Sequence, residues 1–166
     1  TEMTDTMIKD GLWDAFHGYH MGVTAENVAT KFQVTRDDQD KFALRSQEKA
    51  LTAQKENRFQ NEIINFKIKS KKNEIDFRVD EHPRSDISLE ALKRLKTVFK
   101  KDGTVTAGNA SGINDGAAAL VLMNREEAEL RKIEPLVKIV SWATCGVEPS
   151  LMGLGPIPAT NLALKK

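Results

Sequence analysis

A glycine-rich segment followed by a continuous apolar run constrains the fold of this chain more than any other feature. Residues 108–116 read Gly-Asn-Ala-Ser-Gly-Ile-Asn-Asp-Gly, and residues 117–123 are all small or apolar. A short unbroken apolar run is typical of a β-strand that is buried on both faces, as in a layered α/β domain. Glycine and asparagine before such a strand let the backbone turn tightly or approach a ligand closely. The segment therefore predicts either a binding loop or a tight turn into a buried strand.

The spacing of the glycines excludes the common nucleotide-binding loops. No Gly-x-Gly-x-x-Gly motif follows a predicted strand, and no glycine-rich loop ends in the Lys-Ser or Lys-Thr pair of a Walker motif. Glycine and asparagine also occur in ordinary turns, so the local chemistry alone leaves both interpretations open.

The composition indicates a folded domain without a general attraction to polyanions. The 166 residues are 40% hydrophobic and 30% charged, with a formal net charge of +1 and a single cysteine, Cys145. Near-neutral charge gives no basis for nucleic-acid binding, and one cysteine cannot form an internal disulfide. No apolar run approaches the roughly 20 residues that span a bilayer, and the first residues lack a signal-peptide pattern. We expect a cytoplasmic protein that has no membrane or nucleic-acid partner.

Capping patterns predict three helices in the first hundred residues. Thr24 is placed to cap a short helix. Thr35 and Asp38 have the spacing of a capping box at the start of an amphipathic helix that runs to about Glu56. Ser88 precedes a third helix with a narrow stripe of leucines.

Apolar patterns predict the strands. In residues 64–68 and 75–79 apolar side chains alternate with polar ones, so these two segments are predicted to pair as a hairpin. Residues 117–123 and 136–142 have strand character on either side of a charged helix at 124–132. The order strand, helix, strand is typical of layered α/β architecture.

The two parts of the chain differ in kind. Residues 1–22 are expected to form a loop, residues 1–100 as a whole read as an α+β unit, and the later part reads as layered α/β. Two strands cannot form a stable sheet with exposed edges, and a last helix predicted at 159–166 has barely begun where the sequence stops. We therefore expect a truncated α/β fold, excised from a larger protein.

Five sequence motifs in order along the chain resemble those of the thiolase family, in particular of its short-chain biosynthetic members. They are Asp10-Gly11-Leu12; Gly18-Tyr19-His20-Met21-Gly22 with Thr24-Ala25-Glu26-Asn27; Gln39-Asp40 with Ser46-Gln47; Gly-Thr-Val-Thr-Ala-Gly-Asn-Ala-Ser-Gly at 103–112; and Met152-Gly153 with Gly155-Pro156-Ile157-Pro158-Ala159. The resemblance covers nearly the whole chain.

The resemblance implies a division of the chain into three parts. Thiolases consist of two similar layered α/β halves with a loop domain inserted into the first half. By resemblance, residues 1–103 form most of the α+β loop domain, residues 104–134 the closing strand and helix of the N-terminal half, and residues 135–166 the start of the C-terminal half. Both halves would then be incomplete.

The resemblance also implies cysteine chemistry that lies outside this chain. In thiolases one cysteine takes an acyl group from acyl-CoA, and a second acts as acid and base in a Claisen condensation or its reversal. A histidine of a Gly-His-Pro motif supports the nucleophilic thiolate. None of these motifs occurs here, and Cys145 lies in the unrelated sequence Ala-Thr-Cys-Gly-Val. We assign no catalytic residue, expect Cys145 to be a buried structural thiol, and expect the segment alone to be inactive.

By resemblance, residues of the glycine-rich segment and of the loop domain contact coenzyme A. Ser111 would hydrogen-bond an amide of the pantetheine arm, and its small neighbours Ala110 and Gly112 allow close approach. His20 would lie beside the pantetheine and the reaction cavity, where it binds or positions the ligand rather than transferring a proton. Without the resemblance, a histidine among aromatic side chains is more often structural.

Further positions match the two ends of the coenzyme. Leu12 and Arg84 match positions near the nucleotide end, where a guanidinium can bind phosphate oxygens. Met21, Phe99 and Met152 match positions that close around a short acyl group. Without the resemblance these last three residues read as core.

No metal and no cofactor beyond the substrate coenzyme A or acetyl-CoA is implied. His17 and His20 lack the further ligands that a metal site needs. The basic run of lysines at 67–72 reads as the solvated tip of the hairpin rather than a phosphate clamp.

The resemblance implies that the larger protein is a homotetramer that binds an acyl-CoA substrate. Two alternatives stay open. One is a thiolase-like protein that binds acyl-CoA without catalysis. The other is a nucleic-acid-binding module built on the lysines, which the near-neutral charge disfavours.

Overall fold

A computed structural model describes residues 3–69 and 73–166 of the chain. A π-helical segment, Met7–Leu12, precedes the first strand, and a 3₁₀ helix, Pro149–Leu154, precedes the last helix. In chain order, the strands and α-helices of the described residues are β1 (Trp13–Asp14), β2 (Tyr19–His20), α1 (Gly22–Phe32), α2 (Arg36–Lys55), β3 (Phe66–Lys69), β4 (Glu74–Phe77), α3 (Leu89–Lys93), α4 (Arg125–Leu130) and α5 (Pro156–Leu164).

The N-terminal strands form a hairpin with a side-chain-stabilised turn. β1 and β2 pair antiparallel. The Asp14 carboxylate accepts hydrogen bonds from the amides of Phe16 and His17 at 2.8 and 3.2 Å, which closes the turn. The expectation that residues 1–22 form only a loop is therefore wrong for residues 7–20. Residues 7–12 are π-helical, and Asp14 supplies the contacts that the tight connection of the hairpin at 13–20 needs.

The first two helices follow the capping signals with one correction. Thr24 lies inside α1, where its hydroxyl donates to the carbonyl of Met21 at 2.6 Å, and Met21 occupies the N-cap position. The predicted cap at Thr24 is wrong because a threonine hydroxyl can also satisfy a carbonyl of the preceding turn. α2 begins with the predicted capping box: the Thr35 hydroxyl accepts from the Asp38 amide, and the Asp38 carboxylate accepts from the Thr35 amide, both at 3.1 Å.

The second hairpin is solvated. β3 and β4 pair antiparallel as predicted, but both faces are exposed. Lys67 forms an ion pair with Glu74 at 2.6 Å, and Lys69 is exposed. These positions agree with a solvated hairpin tip, whereas Lys71 and Lys72 lie outside the described residues.

A small core forms where α2, α3 and residues 104–110 meet. Ser88 caps α3 as predicted, because its hydroxyl accepts a hydrogen bond from the amide of the third helical residue at 3.1 Å. Leu92 of α3 is 2% exposed, and Val105 is 6% exposed. Thr106, completely buried, forms an isolated antiparallel bridge to the chain just after α3. This contact brings the glycine-rich segment against the helices.

Neither predicted strand of the layered α/β part, at 117–123 or at 136–142, forms a strand in this structure. Val121 is 87% exposed and Leu136 is 100% exposed. A fully apolar strand needs paired edges and covered faces, and residues 3–69 and 73–166 supply neither. The two predictions are wrong here for that reason. The predicted helix between them does form as α4, capped by Asn124.

The 3₁₀ helix Pro149–Leu154 packs against α1, and α5 contacts this 3₁₀ helix. Asn27 Nδ2 on α1 donates to the carbonyl of Ser150 in the 3₁₀ helix at 3.1 Å. α5 begins earlier than the predicted 159–166, because Pro156 and Pro158 have backbone angles preset for a first helical turn. Within the described ranges, no helix combines the length and the apolar character needed to cross a membrane. The division of the chain after residues 103 and 134 stays a prediction.

Candidate functional site

A cavity of about 590 Å³ opens between α2, residues 81–87, α3 and residues 107–110. Arg84 and Ala110 both line it, although they come from separate parts of the chain. The ring of His82, which also lines the cavity, faces the turn at Gly112: a Cβ placed on Gly112 would lie 2.7 Å from His82 Cε1. The structure therefore brings three of the predicted coenzyme-binding positions to one place.

Glu26 of α1 holds the start of the loop that leads to Ser111. Its side chain is 3% exposed. The carboxylate accepts hydrogen bonds from the Thr104 amide at 2.8 and 2.9 Å, from the Thr104 hydroxyl at 2.8 Å and from the Val105 amide at 2.8 Å. Hydrogen bonds to an ionised group are about twice as strong as neutral ones. A single buried carboxylate thus joins α1 to the loop.

Asp40 of α2 holds the next part of the same loop. Its buried carboxylate accepts from Arg36 Nε at 2.8 Å and from Asn109 Nδ2 at 3.0 Å. Asn109 Oδ1 accepts from the Thr106 amide at 2.8 Å. Arg36 also donates to the carbonyl of Leu92 in α3 at 2.6 Å. One polar network therefore connects α2, α3 and the loop.

Ser111 lies exposed where this fixed loop ends. The loop approaches α3 closely: a Cβ placed on Gly108 would overlap the side chain of Leu92. Glycine at this position lets the backbone pack on the helix. Ala110 therefore lines the cavity, and Ser111, the next residue, is exposed to solvent beside it.

Arg84 lines the same cavity; its backbone is hydrogen-bonded to α2, and its side chain is paired with Asp86. The Arg84 amide donates to Gln47 Oε1 of α2 at 2.9 Å. Its Nε and Nη2 each donate to one oxygen of Asp86 at 3.2 Å. This hydrogen-bonded pair raises the pKa of the Arg84 guanidinium and lowers the pKa of the Asp86 carboxyl. A phosphate at this place would compete with Asp86 for the guanidinium.

His20, Met21 and Phe99 form a second cluster. The rings of His20 and Phe99 stack with their centroids 4.6 Å apart, and a Cβ on Gly22 would overlap the Phe99 ring. His20 Nδ1 accepts from the Gly22 amide at 3.0 Å, so Nε2 carries the proton and can donate to a ligand. The Met21 amide donates to the carbonyl of Leu12 at 2.8 Å. The backbone of Leu12 is therefore joined to that of Met21, and the assignment of Leu12 to the nucleotide end stays a prediction.

Met152 lies on an element that adjoins the N-terminal hairpin. It is 43% exposed in the 3₁₀ helix. Asn27 joins this helix to β2, because its Nδ2 also reaches Tyr19 Oη at 3.3 Å.

His17 lies between Asp14, at 3.1 Å, and Glu148, at 3.9 Å. Burial raises the pKa of Asp14, but its hydrogen bonds to the Phe16 amide and to His17 outweigh this effect, and the pKa falls below its ordinary value.

Cys145 is exposed, with its thiol 3.4 Å from the carbonyl of Gly146. The expectation of a buried thiol is wrong, because the apolar segment 136–142 that precedes it has no sheet to enter. Within the part of the chain that the structure describes, no three His, Cys, Asp or Glu side chains are grouped as a metal site.

Comparison with known protein families decides where the chain belongs. The family described as Thiolase, N-terminal domain, matches residues 1–126. The chain belongs to the thiolase family. The acetyl-CoA acetyltransferases of Rhizobium meliloti (strain 1021) and Shinella zoogloeoides are 58% and 57% identical to this thiolase chain over 165 residues, and the cytosolic enzyme of that name from Rattus norvegicus is 53% identical over 166 residues. Each comparison covers 99% of this chain and 42% of the relative, so the chain spans about two-fifths of the curated relatives it matches.

Solved structures confirm the thiolase fold over this part. The TM-score is 0.92, at 45% identity, for the acetyl-CoA acetyltransferase from Syntrophomonas wolfei. It is 0.91, at 41% identity, for human mitochondrial 3-ketoacyl-CoA thiolase. Both comparisons cover 99% of this chain and 41% of the solved chain.

Sequence reasoning missed the buried side chains that hold the loop at residues 104–110. The available signal was that Glu26, Asp40 and Asn109 belong to the motifs that carry the resemblance. Their spacing along the chain does not reveal which groups they hydrogen-bond. His82 carried no signal, since its contact with the turn at Gly112 depends on the tertiary fold.

Proposed function

We propose that this chain is the coenzyme-binding part of an acetyl-CoA C-acetyltransferase. The relatives that are 58% and 57% identical bear the name acetyl-CoA acetyltransferase, which supports acyl-CoA as the substrate class. The proposed reaction is a reversible Claisen condensation of thioesters through a cysteine acyl-enzyme. Its cysteines and its Gly-His-Pro histidine come from polypeptide outside residues 1–166.

The observation that carries the proposal is the way in which residues 107–112, here called the Ser111 turn, are held. Buried carboxylates of Glu26 and Asp40 fix the loop from two helices, yet the turn itself presents Ser111 to solvent beside a cavity. Buried charged networks are expensive to build for a simple connection, because each ion loses its hydration. Fixing a short hydroxyl in advance lowers the entropy lost when a flexible ligand binds.

The pantetheine arm is proposed to lie along this turn. The Ser111 hydroxyl can donate to an amide carbonyl or accept from an amide N–H of the arm. Ala110 and Gly112 present no side chain large enough to prevent that approach. The phosphates are proposed to lie toward Arg84, where they replace part of its pairing with Asp86.

The second cluster is proposed to form the wall of the acyl pocket. The His20 and Phe99 rings are stacked, and Met21 follows His20 directly. Bulky apolar side chains at Met21, Phe99 and Met152 leave room for a short acyl group. His20 Nε2 can donate to the thioester or to the arm, which is a positioning role.

Other properties belong to the same proposal. The complete enzyme is proposed to be a cytoplasmic homotetramer that needs no metal and no cofactor besides its coenzyme A substrates. The name of the rat relative, which includes the word cytosolic, supports the location. The chain alone is proposed to be inactive, because its one cysteine, Cys145, is exposed and does not line the cavity.

A chimera tests the proposed activity. In this thiolase chimera the chain replaces the matching 165 residues of the Shinella zoogloeoides acetyl-CoA acetyltransferase. We expect the chimera to cleave acetoacetyl-CoA in the presence of coenzyme A, and the loss of enolate absorbance measures this cleavage. We expect the isolated chain to show no turnover.

The possible results separate the alternatives. A folded chimera that binds coenzyme A but never turns over would favour a non-catalytic acyl-CoA-binding protein. A folded chimera without measurable affinity for coenzyme A would refute both functions.

A further inference from the structure

His82 lies beside the Ser111 turn, and the proposed contacts to coenzyme A do not involve it. It lines the cavity together with Arg84 and Ala110. A Cβ on Gly112 would lie 2.7 Å from its Cε1 atom and 3.1 Å from its Nδ1 atom. The imidazole therefore lies against the turn at Gly112, and it lines the same cavity as Ala110.

Two glutamines of α2 fix the backbone on either side of His82. Gln54 Nε2 donates to the carbonyl of Asp80 at 3.0 Å, and Gln47 Oε1 accepts from the Arg84 amide at 2.9 Å. The His82 amide itself donates to Asp80 Oδ1 at 3.2 Å. A ring on a backbone that is held at both sides has less conformational entropy to lose when a ligand binds.

The charged groups around this ring are mostly acidic. Glu81, Arg84 and Asp86 line the cavity, and Asp80 bonds the His82 amide. The lining residues from α2, α3 and 107–110 are uncharged. Since Asp86 already engages the guanidinium, a phosphate-bearing ligand meets a wall of net negative charge unless the imidazole carries a proton. Histidine is the side chain that changes charge between about pH 5 and 8.

We infer that His82 binds the phosphate-bearing arm of the coenzyme, and that its protonation makes coenzyme affinity rise as the pH falls. The inference rests on the proposed function and adds a residue and a pH response to it. The imidazolium donates a hydrogen bond to a phosphate oxygen, between the pantetheine contact at Ser111 and the phosphate contact at Arg84. It also offsets the carboxylates of Glu81 and Asp86.

Calorimetric titration of the thiolase chimera at about pH 6 and about pH 8 tests this inference. The ligand is dephospho-CoA, because its diphosphate keeps a constant charge in this range whereas a phosphomonoester titrates near pH 6. We expect the chimera to bind about fivefold more tightly at the lower pH, which is the excess of one charge-assisted hydrogen bond over a neutral one. His82→Gln keeps a donor without the charge and should lose this pH response. His17→Gln, outside the cavity, should keep it.

The outcomes separate the inference from the proposed function. If His82→Gln and the unsubstituted chimera respond to pH equally, the inference is overturned while coenzyme binding stands. If the unsubstituted chimera binds neither dephospho-CoA nor coenzyme A at either pH, the proposed function fails and the inference fails with it. The unfolding midpoint of each variant controls for structural damage. If His82→Gln unfolds early, His82→Asn replaces it, and we expect it to lose the pH response as well.

Discussion

At the scale of single residues, the loop that begins at Thr104 depends most on the buried carboxylate of Glu26. It is the shared acceptor for the Thr104 and Val105 amides, so truncation leaves buried donors without a partner. We expect Glu26→Ala to lower the free energy of unfolding by about 3 kcal/mol. Glu26→Gln keeps one acceptor oxygen and should give a smaller loss. Urea unfolding of the chain, followed by circular dichroism, measures both.

The control for Glu26 is Glu90→Ala, at an exposed position of α3, which should change stability by less than about 0.5 kcal/mol. Equal effects of the two alanine variants would show that the carboxylate does not hold the loop. Sequence reasoning could find the Ser111 turn from its glycines and hydroxyl. It could not find the carboxylate beneath the turn, because Glu26 and Thr104 are 78 positions apart.

At the scale of elements, α2 depends on its capping box. The hydrogen bond from the Thr35 hydroxyl, followed by the one from the Thr35 amide, lowers the pKa of Asp38 below its ordinary value of 3.8. The stability that the Thr35–Asp38 pair contributes is therefore fully present at pH values above the ordinary pKa of 3.8. It is lost as the pH falls through the lower pKa that Asp38 has in the folded state. Protonation removes the capping interaction and leaves the first turn of the helix weaker.

Substitution of Thr35 tests this helix. We expect Thr35→Ala to lower the free energy of unfolding by about 1 kcal/mol at neutral pH and to move the pKa of Asp38 back toward 3.8. Urea unfolding and a carboxyl NMR titration measure the two effects. Thr35→Ser keeps the hydroxyl and is the matched control. An unchanged Asp38 titration in Thr35→Ala would contradict the role of the hydroxyl.

The helices that sequence analysis predicted correctly share one property: their signals are local. Ser88 and Asn124 accept from amides three residues away, so the pattern is visible along the chain. The strands at 117–123 and 136–142 depend on partners instead. Their apolar pattern is clear, yet without neighbouring strands they stay exposed and irregular in this structure.

At the scale of the whole molecule, contacts between distant segments decide what the chain presents to a ligand. Residues near 26, 40, 84 and 110 meet around one loop and one cavity. The motif order was enough to predict the thiolase fold, which the family match and the solved structures confirm. The polar network and the place of His82 could not be predicted, because they arise from side chains that only tertiary packing brings together.

The affinity of the thiolase chimera for coenzyme A tests the central claim, that the Ser111 turn holds the pantetheine arm. Calorimetry should show about fivefold weaker binding for Ser111→Ala, the loss of about 1 kcal/mol for one neutral hydrogen bond. Ser85→Ala, an exposed serine that does not line the cavity, should bind like the unsubstituted chimera. Equal dissociation constants for all three proteins would contradict the claim.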